Sequence, residues 1–307
     1  MSRAAGRSVW DGVLVAITTP FDTDFEIDHS ALVRHAQWLA GRGVDAIIVA
    51  GSLGEGSSLS SEERTRLVRD LVGQIPDRVP VLAAVAASRT QDAVEQAQRA
   101  ARAGARGLLV LPPYVYRADR AETDAHFGKV FAATDLPCML YNNPPAYGVD
   151  VVPEQVAELA KEYPTLVAVK ESSGDVQRIA ALVSLLRGRV EVAVGLDESI
   201  EGGLRAGATG WVAGLANALP DESVALFRAG RDGDSVRAEE LYRWFLPLLR
   251  MDTGPKFVQR IKLVQAELGH GQPRVRLPRL ELHEAERAHA LATLKECLAR
   301  RPALPKA

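Results

Sequence analysis

Lys170 is the residue of this chain whose type and position most suggest chemistry. It ends the apolar run Leu-Val-Ala-Val-Lys at residues 166–170. Continuous apolar runs are typical of parallel strands covered on both faces, so an ammonium at the carboxyl end faces either a pocket or a buried partner. Burial lowers the pKa of a lysine, and the neutral amine can attack a carbonyl carbon to form a Schiff base. A lysine that merely emerges into solvent at a strand end would give the same run.

Three further segments carry polar groups directly after apolar runs. Residues 51–55 form a glycine-punctuated turn, whose free backbone N–H groups and Ser52 hydroxyl can hold a carboxylate, although a tight turn without a ligand fits equally. Tyr141 precedes a proline-stiffened loop and can relay protons, with a core tyrosine as the alternative. Gly195 and Asp197 follow a later run, where the carboxylate can bind a substrate hydroxyl or cap the next helix.

The elements that must position these groups form a repeating pattern. Helix-like segments separate eight short β-rich runs, at residues 13–18, 46–50, 79–84, 107–111, 136–141, 166–170, 190–194 and 210–213. Eight strands with crossover helices predict a closed parallel (β/α)8 TIM barrel, whose active site lies at the carboxyl ends of the strands. An open doubly wound sheet also alternates strands and helices, but residues 51–56 do not match its Gly-x-Gly-x-x-Gly motif.

Local signals support the predicted helix boundaries. Asp28 is the expected N-cap of the first long helix and Ser60 or Ser61 that of the second. Gly43, Gly104 and Gly207 are expected to end helices in the left-handed conformation. Helical periodicity continues after Pro220, beyond the single helix that a barrel needs. We therefore predict a barrel over residues 1–225. Residues 226–307 would hold a barrel-closing helix and a C-terminal helical extension.

Composition favours a globular protein and excludes several partners. The chain has 307 residues, 47% hydrophobic and 25% charged, with a formal net charge of -2 and no bilayer-length apolar run. This balance indicates neither nucleic-acid nor membrane binding. Two separated cysteines favour a reducing cytoplasm, and six histidines without ligand spacing give no indication of a metal. No motif indicates a cofactor.

Taken together, three segments resemble the dihydrodipicolinate synthase / N-acetylneuraminate lyase family. They are Gly-Ser-Leu-Gly-Glu at 51–55, Tyr-Asn-Asn-Pro at 141–144 and Val-Lys-Glu-Ser-Ser-Gly-Asp at 169–175, and the likeness extends over roughly residues 10 to 300. The resemblance implies a Schiff base between Lys170 and a 2-oxo acid, with Tyr141 shuttling protons. It also implies that the turn at Ser52 and Leu53 holds the substrate carboxylate, and that the protein is a homodimer or homotetramer.

The chain departs from the stricter pattern of the synthases at three positions. Leu53 stands where the family resemblance predicts a second threonine, and Val115 where it predicts a tyrosine, although Tyr116 could lean in instead. Ala146 replaces an arginine that would clamp a second carboxylate. Losing a desolvated arginine–carboxylate pair removes on the order of a few kcal/mol. We therefore expect a substrate other than aspartate semialdehyde.

The remaining motifs most resemble the branch that deaminates 1-pyrroline-4-hydroxy-2-carboxylate. The expected products are 2-oxoglutarate semialdehyde and ammonia, with Ser172 and Asp197 contacting a substrate hydroxyl. Two enzymatic alternatives are an aldolase or dehydratase for 2-keto-3-deoxy sugar acids and dihydrodipicolinate synthase itself (4-hydroxy-tetrahydrodipicolinate synthase). A barrel that only binds a small acid is the non-catalytic alternative.

Overall fold

The computed structural model describes residues 8–304. Eight parallel strands close into a barrel in which each strand pairs with the next and β8 pairs with β1. The strands are β1 Gly12–Ala16, β2 Ala46–Val49, β3 Val81–Val85, β4 Leu108–Val110, β5 Cys138–Asn142, β6 Leu166–Glu171, β7 Glu191–Val194 and β8 Gly210–Ala213. The predicted TIM barrel is confirmed. An open sheet is excluded because the ring of strands closes.

Helices surround the barrel and continue beyond it. They are α1 His29–Gly41, α2 Ser61–Leu71, α3 Thr90–Ala103, α4 Arg120–Phe131, α5 Pro144–Tyr147, α6 Pro153–Glu162, α7 Val176–Leu186, α8 Ile200–Arg205, α9 Pro220–Arg231, α10 Ser235–Leu249, α11 Phe257–Glu267 and α12 Glu284–Ala299. The predicted division between residues 225 and 226 falls inside α9, and as a boundary between domains it stays a prediction. No helix in the described part of the chain is long and apolar enough to cross a membrane.

The predicted helix caps are present. The Asp28 carboxylate accepts a hydrogen bond from the backbone of the first turn of α1, and Ser60 forms a capping box at α2. Gly43, Gly104 and Gly207 have φ values of +85°, +100° and +98°. Residues other than glycine rarely adopt this left-handed backbone conformation, which explains why glycine ends these helices.

Apolar side chains fill the inside of the barrel and the layer between barrel and helices. The interior cluster includes Trp10, Leu14, Ile48, Leu82 and Met139, each essentially inaccessible to solvent. A filled interior leaves no channel, so a ligand can be bound only where the strands open into loops. The strand-end loops therefore hold whatever site the fold provides.

A buried ion pair ties the C-terminal extension to the loop after β2. Lys262 of α11 donates to Glu55 Oε1 at 2.8 Å and to the Thr19 carbonyl at 2.8 Å. The backbone N–H of Arg276 donates to the other oxygen of Glu55 at 2.9 Å. Because Glu55 is fully buried, these donors must replace the water that it loses. The extension thus fixes the position of the glycine turn at residues 51–55.

Candidate active site

A cavity of about 700 Å³ opens at the carboxyl ends of the strands. Most of the residues predicted from sequence line it, namely Ser52, Leu53, Tyr141, Lys170, Ser172 and Gly195. They come from the ends of β2, β5, β6 and β7, which converge at this end of the barrel because all eight strands run parallel. Asp197 does not line the cavity.

Lys170 lies on β6 with its amine inside the cavity and 7% of its surface exposed. Its Nζ lies 3.9 Å from the centroid of the Tyr141 ring. Burial lowers the pKa of Lys170, while the nearby carboxylates of Asp252 and Asp197 act in the opposite direction. The effect of burial is the largest, so the amine loses its proton more readily than a lysine in water, as a nucleophile requires.

Gly195 at the end of β7 leaves the space that Lys170 occupies. A Cβ at this position would lie 1.9 Å from Ser172 Oγ and 2.6 Å from Lys170 Cε. Side chains cannot approach so closely, so any residue with a side chain would displace the lysine. Glycine at this position is therefore required by the path of the Lys170 side chain.

Tyr141 lies on β5, and Asn143 orients it. The Asn143 side-chain nitrogen donates to the Tyr141 hydroxyl at 3.0 Å, while its oxygen accepts from the Ala146 backbone at 3.2 Å and so caps α5. Pro144 occupies the first turn of this short helix, where a missing N–H costs nothing. Burial raises the pKa of Tyr141, so its phenol stays protonated.

The turn after β2 presents donors to the cavity. In residues 8–304, the backbone N–H groups of Ser52 and Leu53 have no hydrogen-bond acceptor. Gly56 allows the tight turn, because a Cβ there would lie 2.1 Å from the Ala50 carbonyl oxygen. Two free N–H groups at such a turn suit a carboxylate.

Ser172 adds a polar group beside Tyr141, close enough to lower the pKa of that phenol. Its side chain is 1% exposed and lines the cavity, and among residues 8–304 its hydroxyl makes no hydrogen bond of good geometry. Buried hydroxyls are nearly always hydrogen-bonded, so the Ser172 hydroxyl is available to bind a polar group of a ligand.

Asp197 has a different position from the one expected for contact with a substrate hydroxyl. Its carboxylate is fully buried and accepts hydrogen bonds from Trp211 Nε1 at 2.9 Å, Gly214 N at 3.0 Å and Leu215 N at 2.7 Å. These three donors hold the chain after β8 in place. Burial raises the pKa of Asp197 to about 6, and the ionised carboxylate in turn raises the pKa of Lys170.

Asp252 is a cavity residue that sequence reasoning missed. It belongs to a short 3-10 turn, Arg250–Asp252, between α10 and α11, and it lines the same cavity as Lys170. Gly214 makes room for it, since a Cβ there would lie 2.4 Å from Asp252 Oδ1. Burial and the nearby Asp197 raise the pKa of Asp252. No local motif marks this aspartate, because it reaches the site only through the packing of the C-terminal extension.

Tyr147 is the second residue that was missed. Its hydroxyl is hydrogen-bonded to Ser52 Oγ, and its ring meets the Tyr141 ring edge-on with centroids 5.6 Å apart. Val115 and Tyr116, by contrast, are 69% and 53% exposed and do not line the cavity. The sequence did contain a signal for Tyr147. The Asn-Pro pair starts a single helical turn, α5, directly after β5, and Tyr147 is the last residue of that turn, near the strand end.

This combination defines a class of enzyme. A buried lysine of lowered pKa beside a tyrosine, at the carboxyl end of a TIM barrel, is the arrangement of a class I aldolase, which works through a Schiff base. A sequence model of the dihydrodipicolinate synthetase family matches residues 9–297. The chain belongs to this family.

Relatives and solved structures cover nearly the whole chain. The 4-hydroxy-tetrahydrodipicolinate synthase of Methanoculleus marisnigri is 36% identical over 284 residues, which is 91% of this chain and 96% of the relative. The dihydrodipicolinate synthase of Aquifex aeolicus superposes with a TM-score of 0.90 at 29% identity, covering 94% of this chain and 98% of that one. A prophage protein of the family from E. coli K12, solved in complex with pyruvate, gives a TM-score of 0.89 at 28% identity and covers 95% and 99%.

Proposed function

We propose that Lys170 forms a Schiff base with C2 of a small 2-oxo or 2-imino acid. The observation that carries this proposal is the position of the amine, which lies inside the cavity with its pKa lowered by burial. The free N–H groups of Ser52 and Leu53 support binding of the acid's carboxylate. The pyruvate complex of the E. coli K12 relative is consistent with such a ligand.

We infer that the substrate is 1-pyrroline-4-hydroxy-2-carboxylate, which carries a single carboxylate and a hydroxyl. Leu53 makes the carboxylate end of the cavity apolar, and Ala146 supplies no cation at the loop after β5, where the stricter synthase pattern has an arginine. Among the described side chains, the cation that lines the cavity besides Lys170 is Arg279 of the C-terminal extension. The orphan hydroxyl of Ser172 offers a partner for a polar substituent. Asp197, whose oxygens are occupied, has no part in this contact.

The proposed reaction begins with attack of neutral Lys170 on the imine carbon. Transimination opens the ring and leaves a linear Schiff base with a free amine. Tyr141 assists removal of a C3 proton, the iminium accepts the electron pair, and the C4 hydroxyl leaves as water. Rearrangement and hydrolysis release ammonia and 2-oxoglutarate semialdehyde.

4-Hydroxy-tetrahydrodipicolinate synthase activity is the second candidate, and the names of the relatives favour it. Leu53 and Ala146 argue against it, because the first lacks a hydroxyl and the second lacks a charge. A sugar-acid aldolase would use the same lysine and release pyruvate. A barrel that only binds a small acid would not require a lysine of lowered pKa, so the lowered pKa of Lys170 argues against this alternative.

Two measurements test these proposals. Borohydride added with pyruvate should attach the reduced ligand to Lys170, detected by peptide mass spectrometry, while Lys256, which is paired with Glu286, stays unmodified. An unmodified Lys170 in active enzyme would remove the covalent step. Ammonia release from the pyrroline then separates the deaminase from the synthase, which condenses pyruvate with aspartate semialdehyde, and from the aldolase, which releases pyruvate.

The assembly and location of the protein are also proposals. We infer a homo-oligomer, dimer or tetramer, from the family resemblance, and sedimentation velocity measures it directly. We infer a reducing cytoplasm from the cysteines, since Cys138 and Cys297 are both buried free thiols.

A further inference from the structure

The proposed reaction gives no role to Tyr147, whose side chain lines the cavity. Its phenol is hydrogen-bonded to Ser52 Oγ on one side. On the other side its ring lies against Tyr141, with an interplanar angle of 83°. All three residues line the cavity that holds Lys170. The two phenols also form a side-chain hydrogen bond that affects the pKa of each, so the hydroxyls run from Tyr141 beside the lysine through Tyr147 to the turn after β2.

The protonation state of Tyr141 explains why a chain of hydroxyl groups is needed. Burial raises the pKa of Tyr141, and burial together with the adjacent Tyr141 phenol raises that of Tyr147. Both phenols are thus protonated near neutral pH. A neutral phenol can accept a proton from carbon only if it gives its own proton away in the same step. Tyr141 therefore needs a neighbour that accepts that proton.

We propose that Tyr147 is a catalytic residue that passes protons between Tyr141 and Ser52. The proposal rests on Schiff-base formation at Lys170. As the C3–H bond breaks, its proton joins Tyr141 oxygen, the Tyr141 proton moves to Tyr147, and the Tyr147 proton moves to Ser52. The C3–H electron pair first forms the C2=C3 bond of an enamine while the iminium nitrogen becomes neutral. The enamine pair then forms the C3=C4 bond as the C4–O bond breaks and the iminium is restored, and the proton that Ser52 delivers leaves with the C4 oxygen as water. All three hydroxyls end neutral.

This assignment accounts for two departures from the synthase pattern. Leu53 has no hydroxyl, so protons cannot pass through it, and Ser52 ends the chain instead. Val115 has none either, and the exposed Tyr116 lies outside the cavity. Tyr147 supplies the missing hydroxyl from α5, which follows the strand that carries Tyr141.

Deuterium exchange tests the relay without knowledge of the natural substrate. Wild-type enzyme and variants are incubated with pyruvate in D₂O, and NMR follows exchange of the pyruvate methyl protons. Because pyruvate has no C4 hydroxyl, Ser52 exchanges its proton with D₂O in this assay, and the reverse transfer through Tyr147 and Tyr141 delivers deuterium to C3. Borohydride trapping at Lys170 is measured in parallel. Tyr147→Phe keeps the ring but removes the hydroxyl. Ser52→Ala removes the serine hydroxyl to which the Tyr147 hydroxyl is hydrogen-bonded. Ser52→Thr restores a hydroxyl, and Tyr116→Phe is the matched control outside the cavity.

We expect Tyr147→Phe and Ser52→Ala to slow exchange about 10²-fold at saturating pyruvate. Trapping at Lys170 at saturating pyruvate should persist in Tyr147→Phe. Ser52→Thr should recover the exchange that Ser52→Ala loses, and the double variant should be no slower than either single variant. Wild-type exchange in Tyr147→Phe would overturn the relay, as would loss of trapping there or equal slowing by Tyr116→Phe. A wild-type enzyme that is not trapped at Lys170 would instead refute the Schiff base, and the relay with it.

Discussion

Gly195→Ala is expected to disable the site through Lys170 while leaving the barrel intact. Ordinary van der Waals contact begins at 3.4 Å, whereas the new Cβ would lie 2.6 Å from Lys170 Cε, so that carbon must move by 0.8 Å. Ser172 Oγ, at 1.9 Å, must move by 1.5 Å. Misplacement of a reacting group by about 1 Å costs about 10²-fold in rate. Overpacking costs about 1–3 kcal/mol in stability.

The assay is the rate of pyruvate-dependent borohydride trapping at Lys170, together with the thermal unfolding midpoint. Gly41→Ala is the matched control, because Gly41 has a negative φ and a Cβ added there would have no atom within 4 Å. We expect trapping to fall about 10²-fold in Gly195→Ala and to stay unchanged in Gly41→Ala. Wild-type trapping in a folded Gly195→Ala protein would contradict the steric argument for this glycine.

Two further changes probe the charges around the site. Asp252→Asn removes a carboxylate that favours the ammonium of Lys170, so the pKa of Lys170 should fall and the acid limb of the pH–rate profile should move to lower pH. An unchanged acid limb would show that the Asp252 carboxylate does not affect the pKa of Lys170. Lys262→Met leaves the Glu55 carboxylate buried without its partner and should destabilise the protein by about 3–5 kcal/mol, seen as a lower unfolding midpoint. Equal loss from Arg300→Met, in an exposed pair, would refute that reasoning.

Sequence reasoning located the strands because their signals are local. Val, Ile and Leu runs, the caps Asp28 and Ser60, and glycines in the left-handed region each depend on a few neighbouring residues. It also placed Lys170 and Tyr141 at one end of the barrel, because parallel strands bring their carboxyl ends together.

Sequence reasoning misplaced side chains whose partners lie far along the chain. Asp197 was expected in the substrate pocket, but Trp211, Gly214 and Leu215 satisfy its oxygens. Asp252 was not found at all, since only the packing of the C-terminal extension brings it to the cavity. Such meetings depend on how distant elements pack, which no local pattern encodes.

By itself, the chain's amino-acid order determined the barrel and the lysine at its mouth, since period, capping and turn chemistry act over a few residues. The tertiary structure alone decided which hydroxyls surround that lysine. Tyr147 faces Ser52 across the cavity, whereas Tyr116, the candidate by spacing, lies outside it. Contacts across a cavity are set by the closure of the whole ring of strands.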